Sequence, residues 1–203
     1  MKYSEIKRSI DIFVSSMGLV IMSPVMILIG VAVKLESEGP VIYKQERLGL
    51  NGKVFNMYKF RSMYLGSEQK GVYETKGDKR VTSTGKIIRK TGLDELPQFI
   101  NIIKGDMSMI GPRPVLTYHP WPFEEYSIEQ RKRFNVRPGV TGWAQVNGRK
   151  DVEWHKRIEY DIEYADKISL QFDIKILLKS VLKVAAMKDN LNIKETVTKK
   201  TNA

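Results

Sequence analysis

The stretch IDIFVSSMGLVIMSPVMILIGVAVKL, residues Ile10–Leu35, is almost wholly apolar and decides how the rest of the chain is read. It exceeds the roughly 20 residues that a helix needs to cross a bilayer. It is longer than the apolar part of a signal peptide, and no small-residue cleavage pattern follows it. A single transmembrane span is the plain reading, and three details count against it. Asp11 opens the run, and Ser23-Pro24 stands at its middle. Proline removes one helix hydrogen bond and crowds the carbonyl four residues earlier, here that of Val20. A neighbouring serine can satisfy the freed backbone, so a kink is tolerable in lipid. Both flanks are basic: Lys2, Lys7 and Arg8 precede the run, and Lys34, Lys44, Arg47, Lys53, Lys59 and Arg61 follow it. Basic flanks favour the cytoplasmic side, and here both ends favour it. A midpoint kink lets a helix enter and leave through one leaflet. The residues therefore favour a re-entrant helix-break-helix anchor over 1–36, ahead of a bent span and of a buried soluble-core helix.

Downstream, Gly39-Pro40 breaks the helix. Val41-Ile42-Tyr43 and Val54–Phe60 are β-rich runs, and Asn51-Gly52 between them is a hairpin turn signal. The polar stretch Gly66–Thr84 reads as a surface loop. Gln98–Lys104 carry helical spacing with Gly105 as a stop, and Glu153–Asp166 is a charged helical candidate. Near the end, Phe172, Ile176, Leu177, Val181, Leu182 and Val184 supply apolar positions, while Lys175, Lys179 and Lys183 recur every four residues. Such a helix can pack on a core or lie in an anionic membrane interface. The expected architecture is mainly α with a short β-hairpin: an anchor at 1–36, one folded domain at 37–188, and a polar tail at 189–203.

The formal net charge of +11 points to anionic partners. The absence of cysteine excludes disulfides, thiolate metal sites and thiol catalysis. His119 and His155 are too few and too far apart for a zinc site. There is no GxxxxGK[ST] loop and no GxGxxG at a strand–helix turn, so ATP-driven and dinucleotide chemistry lack support.

Asp94-Glu95, directly before Leu96-Pro97, is the most informative acidic pair. Proline is acceptable in a helix's first turn, which puts the pair at or beside a helix amino terminus. Two readings are open. Asp94 caps the helix and Glu95 complements its dipole; or Asp94, held ionised by the dipole, is a carboxylate nucleophile and Glu95 holds a divalent ion against a diphosphate. Cations surround the pair in sequence: Lys86, Arg89 and Lys90 before it, and Arg113, Arg137 and Arg149 after it in loops stiffened by proline or glycine. Rigid arginine forks suit phosphate oxygens.

Four strings carry a resemblance: YKFRSM at Tyr58–Met63, LDELPQ at Leu93–Gln98, KGDMSMIGPRP at Lys104–Pro114 and RPGVTGWAQVNGR at Arg137–Arg149. In this order, and with Ser23-Pro24 in the apolar segment, they resemble the monotopic phosphoglycosyl transferases, also called bacterial sugar transferases. The resemblance runs from about residue 3 to 187, and the length suits members made of the catalytic domain alone. It implies a two-step transfer of a sugar 1-phosphate from a UDP-sugar to undecaprenyl phosphate, with release of UMP. Asp94 would be the nucleophile that carries the covalent sugar-phosphoryl intermediate, and Glu95 would bind Mg²⁺. Lys59, Arg61, Arg89, Arg113, Arg137, Gln145, Arg149 and Asp173 would contact substrate. The resemblance also implies a re-entrant anchor kinked at Ser23-Pro24 in the cytoplasmic leaflet of the inner membrane. Candidates for the sugar are N-acetylated aminosugars and hexoses. A non-enzymatic alternative is a membrane-tethered binding module for anionic partners. Nucleic acid is not expected, because no nucleic-acid fold signature accompanies the basic residues. An enzymatic alternative transfers the bare sugar and releases UDP.

Overall fold

A computed structural model of the chain describes residues 3–67, 71, 77–148 and 152–185. Arg149 and the predicted tail at 189–203 lie outside the described residues. The first element, α1 (Tyr3–Glu36), contains the whole apolar stretch and is continuous across Pro24. The break expected at Ser23-Pro24 is a proline accommodated within one helix. Ser23 Oγ donates to the Val20 carbonyl at 2.8 Å, the acceptor that proline leaves without a donor.

The amphipathicity of α1 is inverted. Lys7, Asp11 and Ser15, spaced four apart along one face, are buried. Phe13, Val20, Ile21, Ile27 and Leu28 are each at least 65% exposed. The polar face has partners in the body: Arg8 donates to the carbonyls of Ile102 and Ile103 at 2.6 and 2.9 Å. Met109 N–H donates to Asp11 Oδ1 at 3.0 Å, and Lys7 pairs with Asp173 at 2.7 Å. Farther along, Ile29 and Val33 pack with Phe60 and Ile88.

β1 (Ile42–Leu48) and β2 (Val54–Phe60) form an antiparallel hairpin in the register Ile42↔Phe60 to Leu48↔Val54. The expected turn is present, with Asn51 at φ 54° and Gly52 at φ 74°. β1 runs further than its apolar start predicts, through Lys44-Gln45-Glu46-Arg47, because β2 supplies a backbone partner for each residue. Of the loop predicted at 66–84, residues 68–70 and 72–76 lie outside the described residues; near its end the Thr82 hydroxyl accepts from Gly85 N–H at 2.9 Å and starts α2 (Ser83–Thr91). This helix overtakes the last two residues of the predicted loop. α3 (Gln98–Lys104) ends as predicted at Gly105, with φ 95°.

β3 (Ser108–Ile110) pairs in parallel with β4 (Gly139–Thr141), a small second sheet that the sequence reading does not contain. The approach is close: a Cβ on Gly139 would stand 2.1 Å from Gly111 N, so a side chain there would push the backbones apart. α4 (Ile128–Arg131) and α5 (Trp143–Asn147) are short, and α6 (Trp154–Asp166) matches the charged helix predicted from Glu153. α7 (Leu170–Ala185) closes the described chain. The body is held by apolar groups around Leu48, Val115, Phe134 and Ile158, around Ile110, Trp143, Tyr164 and Ile176, and around Met57, Ile102 and Met107.

The apolar positions of α7 are split between two faces. Ile176 is fully buried, whereas Leu177, Val181 and Leu182 are exposed together with Leu170, Ile174 and Leu178. Its lysines turn towards α5: Lys175 and Lys179 lie over the Trp143 ring, and Lys179 donates to Asn147 Oδ1 at 3.1 Å.

Candidate active site

The acidic pair stands on a single 3-10 turn, Leu93–Glu95, between the left-handed Gly92 (φ 75°) that ends α2 and the Leu96-Pro97 step into α3. Leu93 and Leu96 pack against the cluster containing Ile29 and Val33 of α1, which fixes the turn from its apolar side. The capping reading does not hold. Pro97 is the N-cap of α3 and no side chain caps that end, so Asp94 is free of that duty.

The neighbouring carboxylates are in contrasting states. Glu95 Oε1 accepts from Lys59 Nζ at 2.7 Å and from Arg113 Nη2 at 3.3 Å. Burial pushes the Glu95 carboxyl up, but Lys59 and then Arg113 outweigh it and hold the group ionised well below the usual range. Asp94 is only 8% exposed, and its carboxylate accepts no hydrogen bond from the described residues. Burial raises its pKa, Glu95 adds to the rise, and Lys59, Arg89 and Arg113 act against it. From sequence, the role of keeping Asp94 ionised falls to a helix dipole. In the structure that influence comes from side-chain cations, because the helix begins only at Gln98.

Arg89, on α2, donates to Ser62 Oγ at 3.0 Å and contributes its charge to Asp94. Arg113 projects from the Pro112-Arg113-Pro114 loop with a side chain 47% exposed. Lys59, Arg89 and Arg113 are thus gathered at the pair. Arg47, which sequence reading counted only as a flank charge, joins them. Burial lowers its pKa to about 10, with Arg113 the next cause and Glu95 opposing. It donates to the Pro114 carbonyl at 3.1 Å. Its position became legible only once the hairpin register was known.

The other predicted contact residues hydrogen-bond elsewhere. Arg61 is buried and donates to the carbonyls of Val33, Ser37 and Glu38, which fastens the end of α1. Arg137 Nε donates to Gly105 O at 2.9 Å. Gln145 is buried in α5, where Val140 O is its weak acceptor at 3.4 Å. Asp173 accepts from Tyr3 OH, Lys7 Nζ and Tyr164 OH at 2.5, 2.7 and 2.8 Å, joining α7 to the start of α1. Among the described residues no group of three or more acidic or histidine side chains is placed to hold a metal. Magnesium is commonly held by one or two carboxylates together with substrate phosphates, and the Asp94–Glu95 donor set fits that mode.

Among relatives, the chain is 44% identical over 184 residues to the UDP-glucose:undecaprenyl-phosphate glucose-1-phosphate transferase of Escherichia coli K12, covering 88% of this chain but 40% of that protein. It is 43% identical over 183 residues to the UDP-N-acetylgalactosamine-undecaprenyl-phosphate N-acetylgalactosaminephosphotransferase of Aeromonas hydrophila, covering 88% of this chain and 43% of the relative. An uncharacterized sugar transferase, EpsL, of Bacillus subtilis is 44% identical over 181 residues, with 88% and 87% covered. This chain therefore spans about two fifths of the length of the first two relatives. Residues 2–187 match the model of one family throughout, and the chain belongs to the bacterial sugar transferases.

Proposed function

We propose that this protein transfers a sugar 1-phosphate from a UDP-sugar to undecaprenyl phosphate, and that Asp94 carries the sugar phosphate between the two. The observation that carries the reading is the contrast within the acidic pair: Glu95 is clamped by two cations, while the buried Asp94 beside it accepts no hydrogen bond from any described residue. A carboxylate free of hydrogen bonds keeps its lone pairs for attack. An Asp94 oxygen attacks the β-phosphorus, and the bond from that phosphorus to the bridging oxygen breaks. UMP leaves with that oxygen, and a sugar-phosphoryl aspartate remains. A phosphate oxygen of undecaprenyl phosphate then attacks the same phosphorus and releases Asp94, giving undecaprenyl diphosphate sugar. Phosphoryl transfer depends chiefly on positioning and charge neutralisation. Lys59, Arg89 and Arg113 outnumber the two carboxylates they surround and suit a diphosphate. Glu95, with Asp94 beside it, would hold Mg²⁺, which supplies further neutralisation of the diphosphate when bound.

One substrate is a lipid, and α1 supports a membrane location. A helix with Lys7 and Asp11 buried and Leu28 70% exposed is suited to an apolar surrounding rather than water. It is long and apolar enough to cross a membrane. Yet both its halves are tied to one body, through Arg8 and Asp11 at the start and through Ile29, Val33 and Glu36 towards the end. A spanning helix would separate those ends by the bilayer. The contacts favour a re-entrant anchor with the catalytic domain on the cytoplasmic leaflet of the inner membrane, in keeping with the basic flanks.

The test is product analysis with undecaprenyl phosphate and a panel of UDP-sugars. UMP release, a phosphosugar adduct on Asp94 and loss of both in Asp94→Asn are the expected results. Release of UDP would indicate transfer of the bare sugar, and full turnover by Asp94→Asn would remove the nucleophile. Anion binding that is indifferent to Asp94, with no turnover, would indicate a tethered binding module. Single cysteines near residues 3 and 50 of this cysteine-free chain test topology. Labelling from opposite sides of the membrane would refute the re-entrant anchor.

A further inference from the structure

Arg113 reaches Glu95 from a loop that contains two prolines and so lacks two backbone donors. That loop is nevertheless held at every carbonyl along its length. Pro112 O accepts from Gly139 N–H at 2.8 Å, and Val115 O accepts from Leu48 N–H at 2.9 Å. Between them, Arg113 O accepts from Arg133 Nη2 and Pro114 O from Arg47 Nη1, both at 3.1 Å. The two central carbonyls, that of Arg113 itself and that of the next residue, therefore depend on arginine side chains from two other parts of the fold.

Arg133 is 3% exposed. Its Nε and Nη2 both donate to Asp161 Oδ2 of α6, at 3.1 and 2.6 Å, and Nη2 is shared with the Arg113 carbonyl. A buried ion pair is weak evidence for stability, because desolvation of both charges offsets their attraction. A pair that also holds a loop carbonyl does something that an apolar replacement could not. Lysine would keep the charge on Asp161, but as a point charge it lacks the planar fork that reaches both acceptors.

We propose that Arg133, oriented by Asp161, and Arg47 are positioning residues: they fix the Pro112–Val115 backbone so that the Arg113 guanidinium meets Glu95 and the substrate diphosphate. This rests on the reading of Arg113 as a phosphate contact. Misplacing a substrate-positioning group by about 1 Å can cost on the order of 100-fold in rate. The loss is therefore larger than a stability change alone would produce in a folded enzyme.

The test is a double-mutant cycle on the full membrane-bound chain, using wild type, Arg133→Lys, Arg113→Ala and the double variant. Arg133→Lys preserves a cation against Asp161, and thermal unfolding checks that it folds. Its kcat/KM for the UDP-sugar is expected to fall on the order of tenfold where Arg113 is present. Where Arg113 is already alanine, it should fall by less than about twofold, the scatter of independent sites. The same cycle with Arg47→Met gives a second route should the first variant fold poorly. Equal losses in both backgrounds, or no loss in folded Arg133→Lys and Arg47→Met, would overturn the proposal. The four proteins titrated with UDP give the same comparison without turnover. Coupled losses of UDP affinity in a protein that releases no UMP would refute the transfer reading and keep this one. No UDP affinity in wild type would overturn this proposal.

Discussion

Asp173 separates a structural from a substrate-binding role, and Asp173→Asn is the perturbation that tells them apart. Its side chain is 7% exposed and receives Lys7 Nζ, Tyr3 OH and Tyr164 OH. Burial, followed by the Asp173 charge, raises the Tyr164 pKa, so that phenol remains a donor across the working pH range. Asparagine presents one acceptor and one donor in place of two acceptors, and it leaves Lys7 without its counter-charge. Removing one partner of a buried pair costs about 3–5 kcal/mol. The Lys7 side chain retains 11% exposure, so partial solvation places the loss near the low end, ~3 kcal/mol. For a chain of this size, about 2–4 °C of melting temperature accompanies each kcal/mol, giving a drop of ~6–12 °C. The assay is thermal unfolding in lipid nanodiscs beside a UDP-sugar saturation curve. KM should remain within about twofold of wild type, because no contact of Asp173 reaches the acidic pair. The paired variant Lys7→Met/Asp173→Leu should recover part of the loss, since no lone charge then stays buried. A large rise in KM with unchanged melting would refute this argument and return Asp173 to the substrate.

The acid limb of the rate of UMP release should follow the raised carboxyl of Asp94, which must be ionised to attack. Lys59→Met removes the strongest influence holding that pKa down, so the limb should move to higher pH, and an unmoved limb in a pH–rate profile would contradict the assignment. Glu36 accepts from Ser83 and Thr84 N–H at 2.5 and 2.8 Å, and interactions with Thr84 foremost lower its pKa to about 2. A depressed carboxyl stabilises the fold above its ordinary pKa, and the gain is lost as pH falls towards 2. The stability difference between wild type and Glu36→Gln in denaturant titrations should therefore shrink between about pH 4.5 and 2. Ile102 is fully buried, so Ile102→Ala should cost about 2–5 kcal/mol in the same titrations, whereas a loss below about 1 kcal/mol would mean that the site collapses around the gap.

The parts legible in sequence were those whose signals are local. Asn51-Gly52 specifies its turn by backbone preference, and Gly105 stops α3 for the same reason. The acidic pair stood out because a proline two residues on limits what the backbone there can be. The parallel pairing of β3 with β4 was not legible, because strands of three residues are too short to show alternation, and the close approach at Gly139 depends on a partner nearly thirty residues away. Arg61, Arg137 and Asp173 show the other limit. A charged residue in a family motif reads the same whether it faces a ligand or holds a carbonyl, and only the partners distinguish the two.

α1 makes the strongest case for reading burial rather than composition. By hydropathy it is a membrane segment, and by hydropathy alone Lys7, Asp11 and Ser15 would be blemishes in it. Their spacing puts them on one face, and that face is the one packed on the body. A charged group buried there has free-energy value only with its partner in place, so each contact fixes the rotation of the helix about its axis. Arg8 then holds the end of α3, and Asp11 holds the strand that leads to Arg113. Under the proposed anchor the apolar face meets lipid, and the polar face would set how the acidic turn is oriented towards the membrane surface. On that proposal, the same residues that argue against a simple span would aim phosphate chemistry at a lipid head group.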